Sequence, residues 1–156
     1  MSVTSPKFAS STALVITLDA LADSAARECT AVDNTTTLFQ DALVSLEIPL
    51  VGGTPSNYQA IYLFAYGSQD GTNFGDNATG TDAALTMRAP TNLRNIGGIQ
   101  TPTLGALTWK SQPISVARAF GGILPPKWGI VVQNLTGLAF GTGCTATFTG
   151  VNTQSV

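Results

Sequence analysis

Hydrophobic and polar side chains alternate along most of the chain, and segment 42–51 illustrates the pattern. It reads ALVSLEIPLV, with apolar side chains at every second position: Val44, Leu46, Ile48 and Leu50. This period of two is typical of a strand with one buried face. Pro49 lacks the amide hydrogen that a sheet ladder uses, so we expect this strand at a sheet edge or its proline at a bulge.

Segment 58–68, YQAIYLFAYGS, is apolar at both odd and even positions. Its two alternating sets are Ile61, Leu63 and Ala65, and Tyr62, Phe64 and Tyr66. A strand with apolar side chains in both directions is typically covered on both faces. We therefore expect this strand in the middle of a sheet.

The same criteria predict several further strands. They are 13–18, 27–33, 84–88, 93–100, 107–116, 128–135 and 145–151. Glycine- and proline-containing turns separate nearly all of them. Only 18–27 and 115–120 have a short helical pattern. In 128–135 we expect the Trp128 ring to be buried and its N–H to be hydrogen-bonded.

About eight strands without alternating helices predict an all-β fold, an antiparallel β-sandwich of jelly-roll type. The 156 residues fit one domain. We expect residues 1–12 to form an N-terminal tail or arm and residues 13–156 to form the sandwich. The predicted core includes Leu46, Ile48, Leu63, Trp128, Ile130 and Val132.

The chain is poor in charge, since charged residues make up 10% of it against about 25% in typical proteins. Its 7 basic residues are scattered, which argues against nucleic acid as a partner. No apolar run is long enough to span a bilayer, and the N-terminus does not read as a signal peptide, so we expect synthesis in a cytoplasm. Uncharged surfaces pair at low desolvation cost, which favours a homo-oligomer.

The composition argues against an enzyme. The chain has no histidine, which removes the commonest general base near neutral pH and every Ser-His or Cys-His dyad. The spacing of its carboxylates nominates no acid/base pair of the glycosidase kind. We therefore predict no catalytic residue and no cofactor.

The stretch YGSQDGTNF, residues 66–74, permits two interpretations. Asp70-Gly71 follows a predicted strand and fits a hairpin turn, because it supplies the positive φ that tight turns need. The alternative is a calcium loop built from the oxygen donors Asp70, Asn73, Asp76, Asn77 and Asp82. No glutamate closes such a loop, and Asp and Asn are common in ordinary turns. The turn is the interpretation that we favour.

Two cysteines, Cys29 and Cys144, lie far apart and form no CxxC pair. They are either unlinked small hydrophobic residues or a disulfide that joins an early strand to a late one. Synthesis in a cytoplasm argues against the disulfide.

The loop before Trp128 combines apolar side chains with two consecutive prolines: Ile123, Leu124, Pro125 and Pro126. Exposed apolar groups on a rigid loop can anchor a neighbouring protein. The same residues can equally pack in the core. They are our candidates for an assembly contact.

Three segments resemble a recurrent group of small structural proteins of tailed bacteriophages. They are 29–48 (CTAVDNTTTLFQDALVSLEI), 62–74 (YLFAYGSQDGTNF) and, most specifically, 119–137 (AFGGILPPKWGIVVQNLTG). The resemblance implies a virion component of jelly-roll type on the capsid or tail, made in the host cytoplasm, with other virion proteins as partners. It carries over no catalytic residues.

A capsid decoration (cement) protein or other particle-surface subunit is the function that we expect. The alternatives are a tail, baseplate or adaptor component and a carbohydrate-binding module. The last is considered because jelly rolls also serve as lectins. Its stacking faces would come from Tyr58, Tyr62, Tyr66 and Trp109.

Overall fold

A computed structural model describes residues 3–56, 60–102 and 107–155. Its strands are β1 (Thr4–Phe8), β2 (Thr12–Ala13), β3 (Ala26–Glu28), β4 (Val32–Asp33), β5 (Asp41–Pro49), β6 (Ala60–Ser68), β7 (Ala83–Ala84), β8 (Arg94–Gln100), β9 (Thr108–Lys110), β10 (Ile114–Ser115), β11 (Lys127–Leu135) and β12 (Thr145–Ser155). One 3-10 helix spans Ala117–Phe120. Within these ranges, no helix has the length and apolar character needed to cross a membrane.

The strands form two antiparallel sheets. The first sheet has the order β1-β12-β5-β10, with β2 also on β12 and β9 also on β5. The second has the order β7-β3-β11-β6-β8, with β4 also on β11. β1 and β2 pair with the same side of β12, β3 and β4 with the same side of β11, and β9 and β10 with the same side of β5. When each of these pairs is counted as one interrupted strand, the two sheets contain eight strands in addition to the short β7. Their order is that of a jelly roll, so the predicted fold class is confirmed.

The core lies between the two sheets. Trp128 of the second sheet meets Phe148 of the first edge to face, with ring centroids 5.2 Å apart. Every residue of the predicted core is buried: Leu46, Ile48, Leu63, Trp128, Ile130 and Val132. Among the described residues, nothing accepts a hydrogen bond from Nε1 of Trp128. The prediction of a partner for this N–H was therefore wrong.

The two long predicted strands are present, but only one lies where we expected it. Strand β6 lies between β11 and β8, which confirms its central position. Strand β5 lies between β12 and β10 rather than at an edge. Pro49 is the last residue of β5, so its missing N–H breaks no hydrogen bond within the sheet. Its carbonyl accepts the Gly141 N–H at 2.6 Å.

Segment 27–33 is split in two at Cys29. The Tyr66 hydroxyl donates to the Cys29 carbonyl, and the Ile130 N–H donates to the Cys29 Sγ at 3.2 Å. In an uninterrupted ladder the Ile130 N–H would donate to the Cys29 carbonyl instead. The strand is therefore interrupted between β3 and β4. Segment 107–116 is divided in a similar way, because the Leu46 N–H donates to the Ser111 hydroxyl at 2.8 Å between β9 and β10.

The predicted helix at 18–27 was wrong, whereas one helical turn near 115–120 is present as the 3-10 helix. Residues 18–25 form turns, and Ala26–Glu28 form β3 on β11. Leu18 is buried, so its apolar character reflects packing under a turn. The helical spacing at 18–27 was therefore coincidental.

The predicted N-terminal tail or arm carries an edge strand. Within it, β1 pairs with the end of β12, from Thr4 opposite Ser155 to Phe8 opposite Val151. Pro6 lies opposite Thr153 in this ladder. The described part of the segment 1–12 therefore lies along the first sheet.

Candidate assembly surface

The loop between the 3-10 helix and β11 is held at several points. Gly121 has a φ of +77°, which ends the 3-10 helix, and the Gly122 N–H donates to the Ala117 carbonyl at 2.9 Å. Leu124 donates its N–H to the Gln40 carbonyl at 3.0 Å. These bonds fix the path of the backbone on both sides of residue 123.

The four candidate contact residues are brought together but face different surroundings. Ile123 is 69% exposed, whereas Leu124 is only 5% exposed and belongs to the core. Pro126 is exposed, and its carbonyl accepts the Asn34 N–H at 2.8 Å. Pro125 packs over Gly67, where an added Cβ would lie 2.6 Å from the proline ring. The sequence could not distinguish the exposed residues from the buried ones.

An open groove of about 610 Å³ lies beside Ile123. It is lined by Phe120, Ile123, Leu124, Pro125, Pro126 and residues 67–69. None of these side chains is ionisable. Such a surface suits a noncovalent neighbour better than a charged substrate, since a charged ligand would lose its hydration without a partner.

The loop after β6 is a turn but not a hairpin. Asp70 Oδ1 accepts the backbone N–H groups of Thr72 at 2.9 Å and Asn73 at 2.8 Å, and Gly71 has a φ of +76°. The next strand, β7, pairs with β3 and not with β6. The predicted turn at Asp70-Gly71 is therefore present, but the hairpin was wrong.

Residues 69–82 instead form a cover over the second sheet. The Phe74 ring lies edge to face on Tyr66, with centroids 5.4 Å apart. Thr79 and Gly80 donate their backbone N–H groups to the buried carboxylate of Glu28, at 2.9 to 3.0 Å. We call residues 69–82 the covering loop.

The carboxylates proposed for calcium have separate partners. Asp76 accepts hydrogen bonds from Thr91 and Asn92, and the hydroxyl of Thr91 is the main cause of its lowered pKa. Burial raises the pKa of Asp82, but hydrogen bonds from Arg27 and Thr17 outweigh it and leave the pKa lowered.

Asp70 binds its own loop, and the backbone N–H of Asn73 is the main reason that its pKa lies well below the usual range. The Asn73 amide donates to Asp70, and Asn77 is exposed. In the described ranges, no group of three or more Cys, Asp or Glu residues could hold a metal ion.

Cys29 and Cys144 are free thiols in the structure. Cys29 is buried, and burial raises the pKa of its thiol to about 11. Cys144 is half-buried, and the pKa of its thiol is raised to about 12, mainly by burial and to a lesser extent by the nearby carboxylate of Asp19. The structure therefore agrees with unlinked cysteines and not with the disulfide.

The aromatic residues proposed for sugar stacking do not form one platform. Tyr66 is 2% exposed and lies under the covering loop, so no ligand can stack on it there. Tyr62 and Trp109 are half-buried, and Tyr58 lies outside the described residues. Trp109 lines a second open groove, between β8 and β9–β10, together with Arg118. This geometry weakens the carbohydrate-binding alternative.

Sequence reasoning missed one exposed aromatic residue. Phe8, in the segment predicted as a tail, is 59% exposed on β1 and lies opposite Val151. A phenylalanine in an otherwise polar segment is the signal that could have found it.

The fold places the chain among jelly-roll β-sandwiches, with an uncharged groove at the Ile123 loop. Comparisons with protein-family models, curated proteins and solved structures found no match.

Proposed function

We propose that the chain is a virion structural protein, a capsid decoration (cement) or other particle-surface subunit, which attaches by noncovalent contacts through the Ile123 loop. Its partners would be other virion proteins, and it would be made in the host cytoplasm. The placement in a bacteriophage particle rests on the sequence resemblance. The attachment surface is argued from the structure.

The exposure of Ile123 is the observation that carries the proposal. A side chain that is 69% exposed beside an uncharged groove contributes little to the fold. Buried by a neighbour, an isoleucine side chain contributes about 1.5–3 kcal/mol. The hydrogen bonds of Gly122 and Leu124 hold its backbone in place, so little conformational entropy is lost on binding.

The test uses phage particles whose genome encodes the chain, stripped of it under mild denaturing conditions. Purified protein should bind the stripped heads saturably and raise the temperature at which they release DNA. Ile123→Asp should weaken binding at least about tenfold, because a charge would be buried in an apolar contact. Val15→Asp is the matched control, since Val15 is 64% exposed and does not line the groove.

Equal binding of Ile123→Asp and wild type would contradict the proposed surface. Failure to bind heads, with saturable binding to isolated tails, would favour the tail, baseplate or adaptor alternative. Failure to bind either would overturn the proposed function.

A further inference from the structure

The second open groove, beside Trp109, lies between an edge of each sheet. Its walls are β8, the last strand of the second sheet, and β9 with β10, which border β5 in the first sheet. The groove has a volume of about 710 Å³, and the buried side chains of Ile96 and Ile99 form part of its lining. Ligand sites typically have volumes of about 300–1,000 Å³. None of the described residues lines both this groove and the Ile123 groove. We call it the β8 groove.

The hydrogen bonds of the second sheet show which backbone groups of β8 face this groove. Both backbone groups of Asn134 on β11 bond to residues 24–25, on the side away from β6. Ile61 on β6 lies opposite Asn134, so its own N–H and C=O point to β8 instead. Alternate residues of a strand bond to opposite sides, so the residues that flank the β8 partner of Ile61 point away from β6. These are Gly98 and Gln100, and they direct their N–H and C=O groups into the β8 groove.

This part of the β8 edge is open. Gly98 and Gln100 are exposed, and no hydrogen bond from the described part of the chain reaches them on the groove side. Together they present two N–H and two C=O groups in alternation. An extended peptide has the matching alternation along its own backbone, which is the basis of recognition by strand addition. The chemistry of the edge therefore suits a short extended segment of polypeptide.

Arg118 marks the end of this open edge. The next carbonyl that points into the groove is that of Ile96, and it accepts a hydrogen bond from Nη1 of Arg118 at 3.2 Å. A guanidinium has five N–H donors, of which this bond uses one. Among the described residues, no carboxylate lies within 4 Å of the Arg118 guanidinium. A cation without an acidic partner is therefore held in line with the free backbone groups of Gly98 and Gln100.

The other charges near the β8 groove already have partners. Lys110 is the second cation in the lining, and it pairs with Glu47 at 3.0 Å. Asp41 accepts the Ser115 hydroxyl at 2.7 Å and does not itself line the groove. The described lining contains no acidic residue, although the net charge of the chain is −2. Arg118 therefore gives the groove a local charge that favours an acidic ligand.

We infer that the β8 groove binds an extended acidic peptide segment of another protein. The backbone of the segment pairs with Gly98 and Gln100, and the carboxylate of an aspartate or glutamate side chain pairs with Arg118 at the end of the same edge. Apolar side chains of the segment pack on the half-buried ring of Trp109. A free carboxylate compound would use Arg118 but not the backbone of the edge. The inference does not depend on the proposed function, which uses the Ile123 groove.

An NMR titration of the isotope-labelled full chain tests the inference. The probe is a capped peptide, Val-Glu-Val-Glu-Val, and its counterpart is Val-Lys-Val-Lys-Val. The glutamate peptide should shift the amide signals of Gly98 and Gln100 and the indole N–H signal of Trp109 saturably, with a dissociation constant of about 0.1–1 mM. The indole N–H of Trp128 lies in the core and should not move, so it is an internal reference. The lysine peptide should bind at least about fivefold more weakly.

Substitutions separate the role of Arg118 from general electrostatics. Arg118→Gln should weaken binding of the glutamate peptide at least about fivefold and remove the preference over the lysine peptide. Arg94→Gln is the matched control, since it removes the same charge from the start of β8 but does not line the groove. It should bind like wild type, as should Ile123→Asp, so this inference and the proposed function can fail separately. Thermal unfolding shows whether each variant is folded.

Three results would overturn the inference. They are the absence of saturable shifts at Gly98 and Gln100, equal affinity for the two peptides, and equal affinity of wild type and folded Arg118→Gln. Glutarate, a free dicarboxylate, provides a further arm of the titration. It should leave the Gly98 and Gln100 amides in place, and if it shifts them as the glutamate peptide does, the ligand is a free carboxylate and not a peptide segment.

Discussion

Thr79 donates its backbone N–H to both carboxylate oxygens of Glu28, at 3.0 and 2.9 Å. The Thr79 hydroxyl adds a third bond at 2.8 Å, and Glu28 is only 1% exposed. A buried carboxylate is costly unless hydrogen-bonded donors surround it. Here the covering loop supplies those donors, so Glu28 fixes that loop to the second sheet.

Replacing Glu28 should release the covering loop and destabilise the fold. In Glu28→Gln, one uncharged amide oxygen replaces the carboxylate as the acceptor for the N–H groups of Thr79 and Gly80, so the charge-assisted hydrogen bonds are lost. We expect the free energy of unfolding to fall by about 1–3 kcal/mol, as measured by urea denaturation. Glu47→Gln is the control, because it breaks only the exposed pair with Lys110 and should change stability by less than about 0.5 kcal/mol. Equal effects of the two variants would contradict this account.

Gly129 should tolerate no side chain. A Cβ at this position would lie 2.3 Å from the Tyr66 ring, which the covering loop prevents from moving outward. Gly129→Ala should lower the free energy of unfolding by about 1–3 kcal/mol through overpacking, measured by the same denaturation. Gly75→Ala has nothing within 4 Å of its new Cβ, so it should be neutral or slightly stabilising. A neutral Gly129→Ala would show that Tyr66 can rearrange.

Stability should fall in alkaline solution because of the buried thiol of Cys29. Its pKa rises from 9.0 to about 11 on folding, so the unfolded chain ionises first as the pH increases. The stabilisation is complete below pH 9 and is lost between pH 9 and about 11, by roughly 1.4 kcal/mol per pH unit. Urea midpoints at a series of pH values should fall at least this steeply, because the half-buried thiol of Cys144, whose pKa is also raised, loses stabilisation over the same range. Cys29→Ala should have a shallower slope than wild type, and an unchanged slope would refute the assignment.

Calcium should not affect the stability of the protein. Asp70, Asp76 and Asp82 already accept hydrogen bonds from three different sets of donors. We expect EDTA to change the Tm by less than about 1 °C, since a ligand that does not bind cannot shift unfolding. A fall of several degrees that Ca²⁺ reverses would instead support the calcium loop.

The sequence predicted best what depends on local periodicity. Val44, Leu46 and Ile48 alternate with polar residues, and the structure buries all three, because the period of two is a property of any extended strand. Segment 18–27 failed as a helix because Ala26–Glu28 bond to β11, more than 100 residues away. Such distant partners leave no periodic signal.

The candidate site shows the same limit. Asp70-Gly71 was recognised as a turn from two residues, but the course of the covering loop depends on Glu28, 51 residues from Thr79. The four candidate contact residues were identified by composition alone. In the structure Leu124 lies inside and Ile123 lies outside, and the Leu124 N–H bonds to the carbonyl of Gln40, a partner too distant in the sequence to be recognised from composition.

Pro6 has a consequence for how copies of this chain can combine. Ala9 donates to the Gly150 carbonyl at 2.8 Å, so along β1 the N–H positions of residues 5 and 7 face β12, whereas that of residue 6 faces solvent. The proline removes the donor that a strand from a neighbouring molecule would need there. The outer edge of β1 is therefore a poorer template for a strand of a neighbouring molecule, so edge-to-edge aggregation is disfavoured at this point.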